Sequence, residues 1–334
     1  MLNSEPAPDA NGESRRPSGD LTSDDVGERG QSAESAPTGE GNQNGGPPPD
    51  GAADKQRFVL HKPGGEPVRT GRNLPLAIGS GVALGALVLV SIYPYPQAFV
   101  AITSAAVLLG LRELARAVSG QGVALALPPL LVGGVAMQVC AHFGGPAWLV
   151  GATAITAIVA LSWRLRAGSD GYVRDTAANL FSLLYLPFLL GTWQLLIAAP
   201  DDGQQRIIAF IVVTISSDIG GYFAGILAGR HKMAPVISPN KTWEGFAGSV
   251  LGCMIAGALT VELMLGGPAW AGIVLGVAVV LAATVGDLIE SLVKRDLGMK
   301  DMGRFMPGHG GLLDRVDSLL IAGPVAWVVL TLLV

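Results

Sequence analysis

Charge is scarce in this sequence. Asp, Glu, Lys and Arg make up 14% of its 334 residues, against 50% hydrophobic residues and a mean hydropathy of +0.47. That balance excludes an ordinary soluble domain and points to a polytopic membrane protein. Cysteine is scarcer still, with only Cys140 and Cys253. Both fall in apolar stretches without CxxC or CxxH spacing, which excludes a disulfide framework and a zinc site and leaves packing as their role. The chain has no GxxxxGK[ST] loop and no GxGxxG after a strand, so neither of the common soluble nucleotide-binding devices is present. No positively charged segment leading into a short apolar run opens the sequence, and no cleaved leader is expected.

The charge that exists is unevenly placed. Of 26 Asp and Glu residues, 12 precede residue 70, in a stretch rich in Pro, Gly, Ser and Asn and nearly devoid of aliphatic side chains before Phe58. Such a segment cannot bury enough surface to offset its chain entropy. Residues 1–72 are therefore expected to be a disordered cytoplasmic tail, 73–170 a set of N-terminal transmembrane helices, and 171–334 a C-terminal transmembrane region carrying the charged motifs.

A transmembrane helix needs about 20 mostly apolar residues. Nine segments qualify, at 73–92, 95–111, 123–142, 146–163, 177–198, 206–228, 246–266, 269–289 and 312–334. The expected fold is all-α and polytopic, with about nine spans. If the N-terminus is cytoplasmic, the inside loops hold Arg112, Arg116, Arg164, Arg166, Arg174, Arg230, Lys232, Lys241 and the run from Lys294 to Arg315, while the outside loops hold only Arg206. The positive-inside tendency favours that orientation.

The richest charged stretch is GDLIESLVKRDLGMKDMGRFMPGHGGLLDRVDS, from Gly286 to Ser318. Positions i, i+3, i+4 and i+7 share one helix face, which puts Asp287, Glu290, Ser291 and Lys294 together. Asp314 and Asp317 repeat the spacing at the start of the last span. Charges inside a span cost at least a few kcal/mol, so these acids should face a polar cavity and have partners. Two magnesium-type ions suit such a cavity, since hard divalent cations take carboxylate oxygens and keep positions open for phosphate. Between the helices, glycines flank His309, and Arg295, Arg304 and Arg315 add the positive charge an anionic substrate requires. Ordinary binding of anionic lipid headgroups would account equally for Arg295 and Arg304.

A second charged segment runs from Ser217 to Gly245. Asp218, Tyr222 and Gly225 share a face there, the Gly221, Gly225 and Gly229 spacing suits helix packing, and Ser238 to Thr242 reads as a turn that delivers Lys241 to the membrane surface.

These residues resemble a known family. Ser291-x-x-Lys294-Arg295, Lys300-Asp301 and His309-Gly310-Gly311-x-x-Asp314-Arg315-x-Asp317 look like the signature of the phosphatidate cytidylyltransferases, the CDP-diacylglycerol synthases. Ser238-Pro239-x-Lys241-Thr242-x-Glu244-Gly245 is similar to that family's second common segment. The resemblance covers about Tyr172 to Val334 well, the earlier spans by hydropathy, and the tail not at all.

It implies the reaction of CTP with phosphatidate to give CDP-diacylglycerol and pyrophosphate, with Mg2+ as cofactor, in an integral membrane enzyme whose active site opens to the cytoplasm of a bacterial cell. By that resemblance Asp287 and Asp314 hold metal with Asp317 and Glu290 in support, and Lys294 binds phosphate. Ser291, Lys241, Ser238, Arg295, His309 and Arg315 complete the expected substrate contacts. The partners expected are CTP, phosphatidate and the bilayer, with no nucleic acid. The small-residue spacing of Gly81 and Gly85 would suit a homodimer or packing within one chain. Two other classes compete. An ion-coupled carrier would place its acids near the midplane, and a CDP-alcohol phosphotransferase would need an Ala-Arg that Asp218-Ile219-Gly220-Gly221 does not supply.

Overall fold

The computed structural model describes residues 85–93, 97–299, 301–303 and 311–334. The expected tail over 1–72, most of the span over 73–92, Gly81, Lys300, Arg304 and His309 lie outside the described residues.

A helical stretch over 85–92 precedes α1 (Gln97–Ser119), α2 (Leu127–Arg164), α3 (Tyr172–Leu183), a single π turn (Leu184–Phe188), α4 (Leu189–Ile197) and α5 (Gly203–Ala228). Two strands follow, β1 (Lys232–Ala234) and β2 (Ser238–Thr242), then α6 (Trp243–Met264), α7 (Ala269–Asp296) and α8 (Leu313–Leu333). Among the described residues, 7 helices are long and apolar enough to cross a membrane. In a bilayer the backbone must satisfy its own hydrogen bonds, and long apolar runs do so as helices.

The 38 residues of α2 would make a straight rod of about 57 Å, roughly twice the hydrocarbon thickness. It is not straight. Gly145, at φ 74° and ψ −162°, breaks it just before Pro146. Beyond that break the chain doubles back, so that a Cβ on Gly133 would lie 2.2 Å from the Thr156 hydroxyl. Its two arms correspond to the separate segments expected at 123–142 and 146–163. The α3–α4 segment is one span instead, interrupted by a π turn at Pro187, whose missing N–H removes a regular helical hydrogen bond.

Helices α5 to α8 pack through small residues. A Cβ on Gly257 would sit 2.1 Å from the Gly272 carbonyl oxygen, and one on Gly220 would sit 2.5 Å from that of Gly248. Backbones approach that closely only at glycine, as membrane helix interfaces favour. Packing is thus the role of the glycines in this part of α5, as the sequence suggested.

The expected all-α fold needs one correction. Ser238 to Thr242 is a strand, paired antiparallel with β1 through Lys232↔Thr242 and Ala234↔Ser238, where the sequence suggested only a turn. The hairpin lies beyond the helix ends, where helix is no longer obligatory, and Pro235 and Pro239 disfavour it. Thr242 then starts α6, its hydroxyl accepting the Gly245 N–H at 3.1 Å.

The bundle has two distinct ends. At one, Gln121 reaches the Leu297 carbonyl at 3.5 Å and Arg295 donates to the Ile237 carbonyl at 2.7 Å. Arg164 pairs with buried Asp175 there at 2.8 Å. At the other, Arg206 donates to the Leu330 carbonyl at 2.9 Å and Gln204 to that of Ile92 at 3.0 Å. The charged motifs all lie at the first end.

Candidate active site

The acids sit where α7 and α8 cross. Gly286 permits the crossing, because a Cβ there would lie 2.7 Å from the Asp317 carbonyl oxygen. One turn on, the α7 face carries Glu290 and Lys294 toward Asp314 of α8.

Two groups of charge result. In the inner one, Lys294 pairs with Glu290 and lies 3.1 Å from Asp314. Glu290 is 2% exposed, and its Oε1 is buried without a partner among the described residues. Asp314 also accepts N–H groups from Gly311 at 2.7 Å and Met302 at 3.0 Å. In the outer group Lys241, delivered by β2, pairs with Asp287, and Asp317 of α8 lies beside Asp287 where the two helices cross. Asp317 further accepts the Ser318 N–H at 2.7 Å.

Beside the outer group opens a cavity of about 230 Å³ between α5, α6, α7 and β2, lined by Asp218, Tyr222, Asn240, Lys241, Thr242 and Asp287 among others. The sequence placed Asp218 and Tyr222 on one face without giving them a role. The structure brings both to the lining of this cavity.

Other expected residues fare unevenly. Ser291 is half-buried on α7. Arg295 spends its Nε on the Ile237 carbonyl, bracing α7 against the hairpin. Arg315 is half-buried on α8. Ser238 sits at the far end of β2 and does not line the cavity. His309 lies outside the described residues.

Among the buried polar groups that escaped the sequence reading, two stand close to the site end or to its helices. Glu113 of α1, 6% exposed, accepts the Leu312 N–H at 2.9 Å and the Leu313 N–H at 3.3 Å. An acid in an apolar helix is the signal that could have found it. The expected span stopped at residue 111, two residues short. Tyr185, in the π turn, buries its hydroxyl without a partner among the described residues. Its position in the fold depends on a π turn that hydropathy does not reveal.

The donor set suits a hard divalent cation. All its ligand atoms are carboxylate oxygens, each group holds two acids against one lysine, and Glu290 Oε1 has no partner. Among the described residues, however, no three His, Cys, Asp or Glu side chains converge on one point as metal ligands. The acids stand as two groups, each closed by a lysine.

Comparison with known proteins gives a consistent picture. The family model described as "Cytidylyltransferase family" matches residues 76–333. The chain is 39% identical over 284 residues to a phosphatidate cytidylyltransferase of Mycobacterium leprae, covering 79% of this chain and 90% of that protein. It is 38% identical over 296 residues to one of Mycobacterium bovis, covering 84% of this chain and 96% of the relative. A Brucella suis phosphatidate cytidylyltransferase is 41% identical over 146 residues, 44% of this chain and 53% of that protein.

Proposed function

The chain belongs to the cytidylyltransferase family, and from that premise we propose how its charged end works. It is a nucleotidyltransferase, a phosphatidate cytidylyltransferase that joins CTP to phosphatidate and releases pyrophosphate. One observation carries the placement of the chemistry: the acids of α7 and α8 and the lysines of α7 and β2 meet at one end of the bundle, beside a cavity that Asp218, Lys241 and Asp287 line.

A phosphatidate oxygen attacks the α-phosphorus of CTP, forming a new P–O bond, while the bond from that phosphorus to the bridging oxygen breaks and pyrophosphate departs with its electron pair. The nucleophile is already an anion near neutral pH, so no strong base is needed. The barrier lies in bringing polyanions together and in charge growing on the leaving oxygen, which positioning and electrostatics lower. Lys241 at the cavity rim and Lys294 behind it supply fixed positive charge for that purpose. Asp287 and Asp314, with Asp317 and Glu290 in support, are the residues that would hold magnesium, one ion or two, and it would add neutralisation of the triphosphate. Tyr222 and Asp218 bound the cavity on the α5 side, and its position at the helix ends lets acyl chains remain in lipid while the phosphate enters.

The same reading makes the chain nine spans, with the two arms of α2 counted separately and 73–92 as the first. Its N-terminus and the site end then face the cytoplasm of a bacterial plasma membrane. The gathering of Lys and Arg at the site end, against Arg206 at the other, supports that orientation.

The test is pyrophosphate release by the detergent-purified protein with CTP, phosphatidate and magnesium, omitting each in turn. Release should need all three and should vanish in Asp314→Asn, which removes one charge without adding bulk. Full activity in a folded Asp314→Asn would overturn the site assignment. No release by the folded wild-type protein under any lipid or ion condition would overturn the reaction.

A further inference from the structure

The segment between α7 and α8 returns to the bundle through two glycines, and a residue from a distant helix meets both. A Cβ on Gly303 would lie 2.5 Å from Glu113 Oε1, and one on Gly311 would lie 2.8 Å from Glu113 Oε2. The two glycines also touch each other, since that same Gly311 Cβ would be 3.0 Å from Gly303 Cα. Immediately after them the Glu113 carboxylate accepts the N–H of Leu312, at 3.1 Å on one oxygen and 2.9 Å on the other, and the N–H of Leu313 at 3.3 Å.

Asp314 does the complementary work from the other side. It accepts N–H groups from Met302, before Gly303, and from Gly311, while it faces Lys294. Both ends of the segment are thus clasped between a carboxylate of α1 and a carboxylate of α8. The first turn of a helix leaves its N–H groups without helical partners and carries partial positive charge. Glu113 satisfies two of them. It stands 6% exposed on a helix whose other buried side chains are apolar except for Thr103. An unclasped α8 could start earlier or later and rotate, and one residue of rotation about a helix axis moves a side chain by about 100°. Asp314 and Asp317 would then leave the lysines and the α7 acids.

We propose that Glu113 is a positioning residue for the cytidylyl transfer, fixing where α8 begins and therefore where Asp314 and Asp317 stand. This rests on the reading of those two acids given above. Glu113 acts through the backbone of Gly303 and of Gly311 to Leu313 rather than through either carboxylate.

The experiment is a double-mutant cycle in the full-length protein, reading kcat, KM for CTP and thermal unfolding in the same detergent. Glu113→Ala should lower kcat about 10- to 100-fold, the usual effect of removing a group that orients a site residue, with KM for CTP changed far less. Gly303→Ala, which leaves the carboxylate in place but drives a methyl group into it, should produce a similar loss. Once the carboxylate is gone that methyl has room, so the double variant should be no worse than Glu113→Ala alone. Such non-additivity marks contact rather than general damage. Glu113→Gln keeps an acceptor oxygen and should recover part of the rate. Wild-type kcat per folded molecule in Glu113→Ala, or simple additivity of the two losses, would overturn the proposal. Because the wild-type protein must turn over for any ratio to be formed, failure of the reaction itself would appear separately, in the reference sample.

Discussion

Lys294 and Lys241 look equivalent in a sequence, each a lysine near an acid at a membrane surface. Their surroundings make them different. Lys294 serves two acids, and their side chains are 3% and 9% exposed. Removing it leaves both acids without their cationic partner in a largely buried site, and breaking a buried pair from one side costs about 3 to 5 kcal/mol. Lys241 and Asp287 are 25% and 33% exposed at the cavity rim, and such half-solvated pairs contribute at most about 1 kcal/mol. Lys294→Met should therefore lower the unfolding temperature markedly and abolish turnover. Lys241→Met should leave the unfolding temperature nearly unchanged while raising KM for CTP. Thermal unfolding measured beside steady-state kinetics separates the two, and equal destabilisation by both changes would contradict the distinction between inner and outer groups. At this scale the sequence was informative about faces and silent about partners. Spacing of 3, 4 and 7 put Asp287, Glu290 and Lys294 on one side of α7. It could not say that Lys241, a strand away, would close on Asp287, because that contact depends on a hairpin whose register no periodicity encodes. Glu113 was missed for a related reason: its partners are backbone N–H groups 199 and 200 residues away, and backbone donors leave no mark in a sequence.

Helices were the most legible level. Long apolar runs fix their own hydrogen bonding in lipid, so the expected 206–228, 246–266 and 312–334 fall within three residues of α5, α6 and α8 at both ends. The eighth segment ran seven residues short, since α7 continues to Asp296 through its charged turn, carrying polar residues on a helix already begun. The strands were illegible because a two-stranded hairpin of eight residues has too little alternation to stand out. Close packing was foreshadowed by small-residue spacing, and it yields a sharp expectation. Gly257 and Gly272 meet backbone to backbone, with an added Cβ on either lying 2.1 or 2.2 Å from the other's carbonyl oxygen. Gly257→Ala should force α6 and α7 apart and cost about 1 to 3 kcal/mol, the range for overpacking a tight interface. Gly85→Ala, where among the described residues no atom outside its own stretch of helix lies within 4 Å of the added carbon, should cost nothing measurable. A fall in unfolding temperature for the first and none for the second would verify the contact. Since α7 carries Asp287, Glu290 and Lys294, the first change should also reduce turnover of the molecules that remain folded.

The whole molecule is built with one chemically busy end and one quiet end, and function requires them to face different compartments. A nucleoside triphosphate cannot cross hydrocarbon unaided, because each of its charges would be stripped of water. On the proposed function the site end opens to the side on which CTP is made. Val236, in the hairpin at the site end, is 80% exposed. Ala198, just past α4 at the other end, is also exposed. Of the two natural cysteines Cys253 is buried, and Cys140 is half-buried, so a Cys140→Ser background leaves little thiol to react. In that background a membrane-impermeant maleimide should label Val236→Cys in inverted membrane vesicles and not in right-side-out ones, with Ala198→Cys giving the reverse. The opposite pattern would turn the site outward and contradict a cytoplasmic supply of nucleotide. Labelling of both positions from one side would contradict the two-ended bundle itself, since α5 to α8 alternate in direction and leave no other way to gather four helix termini at a single membrane face.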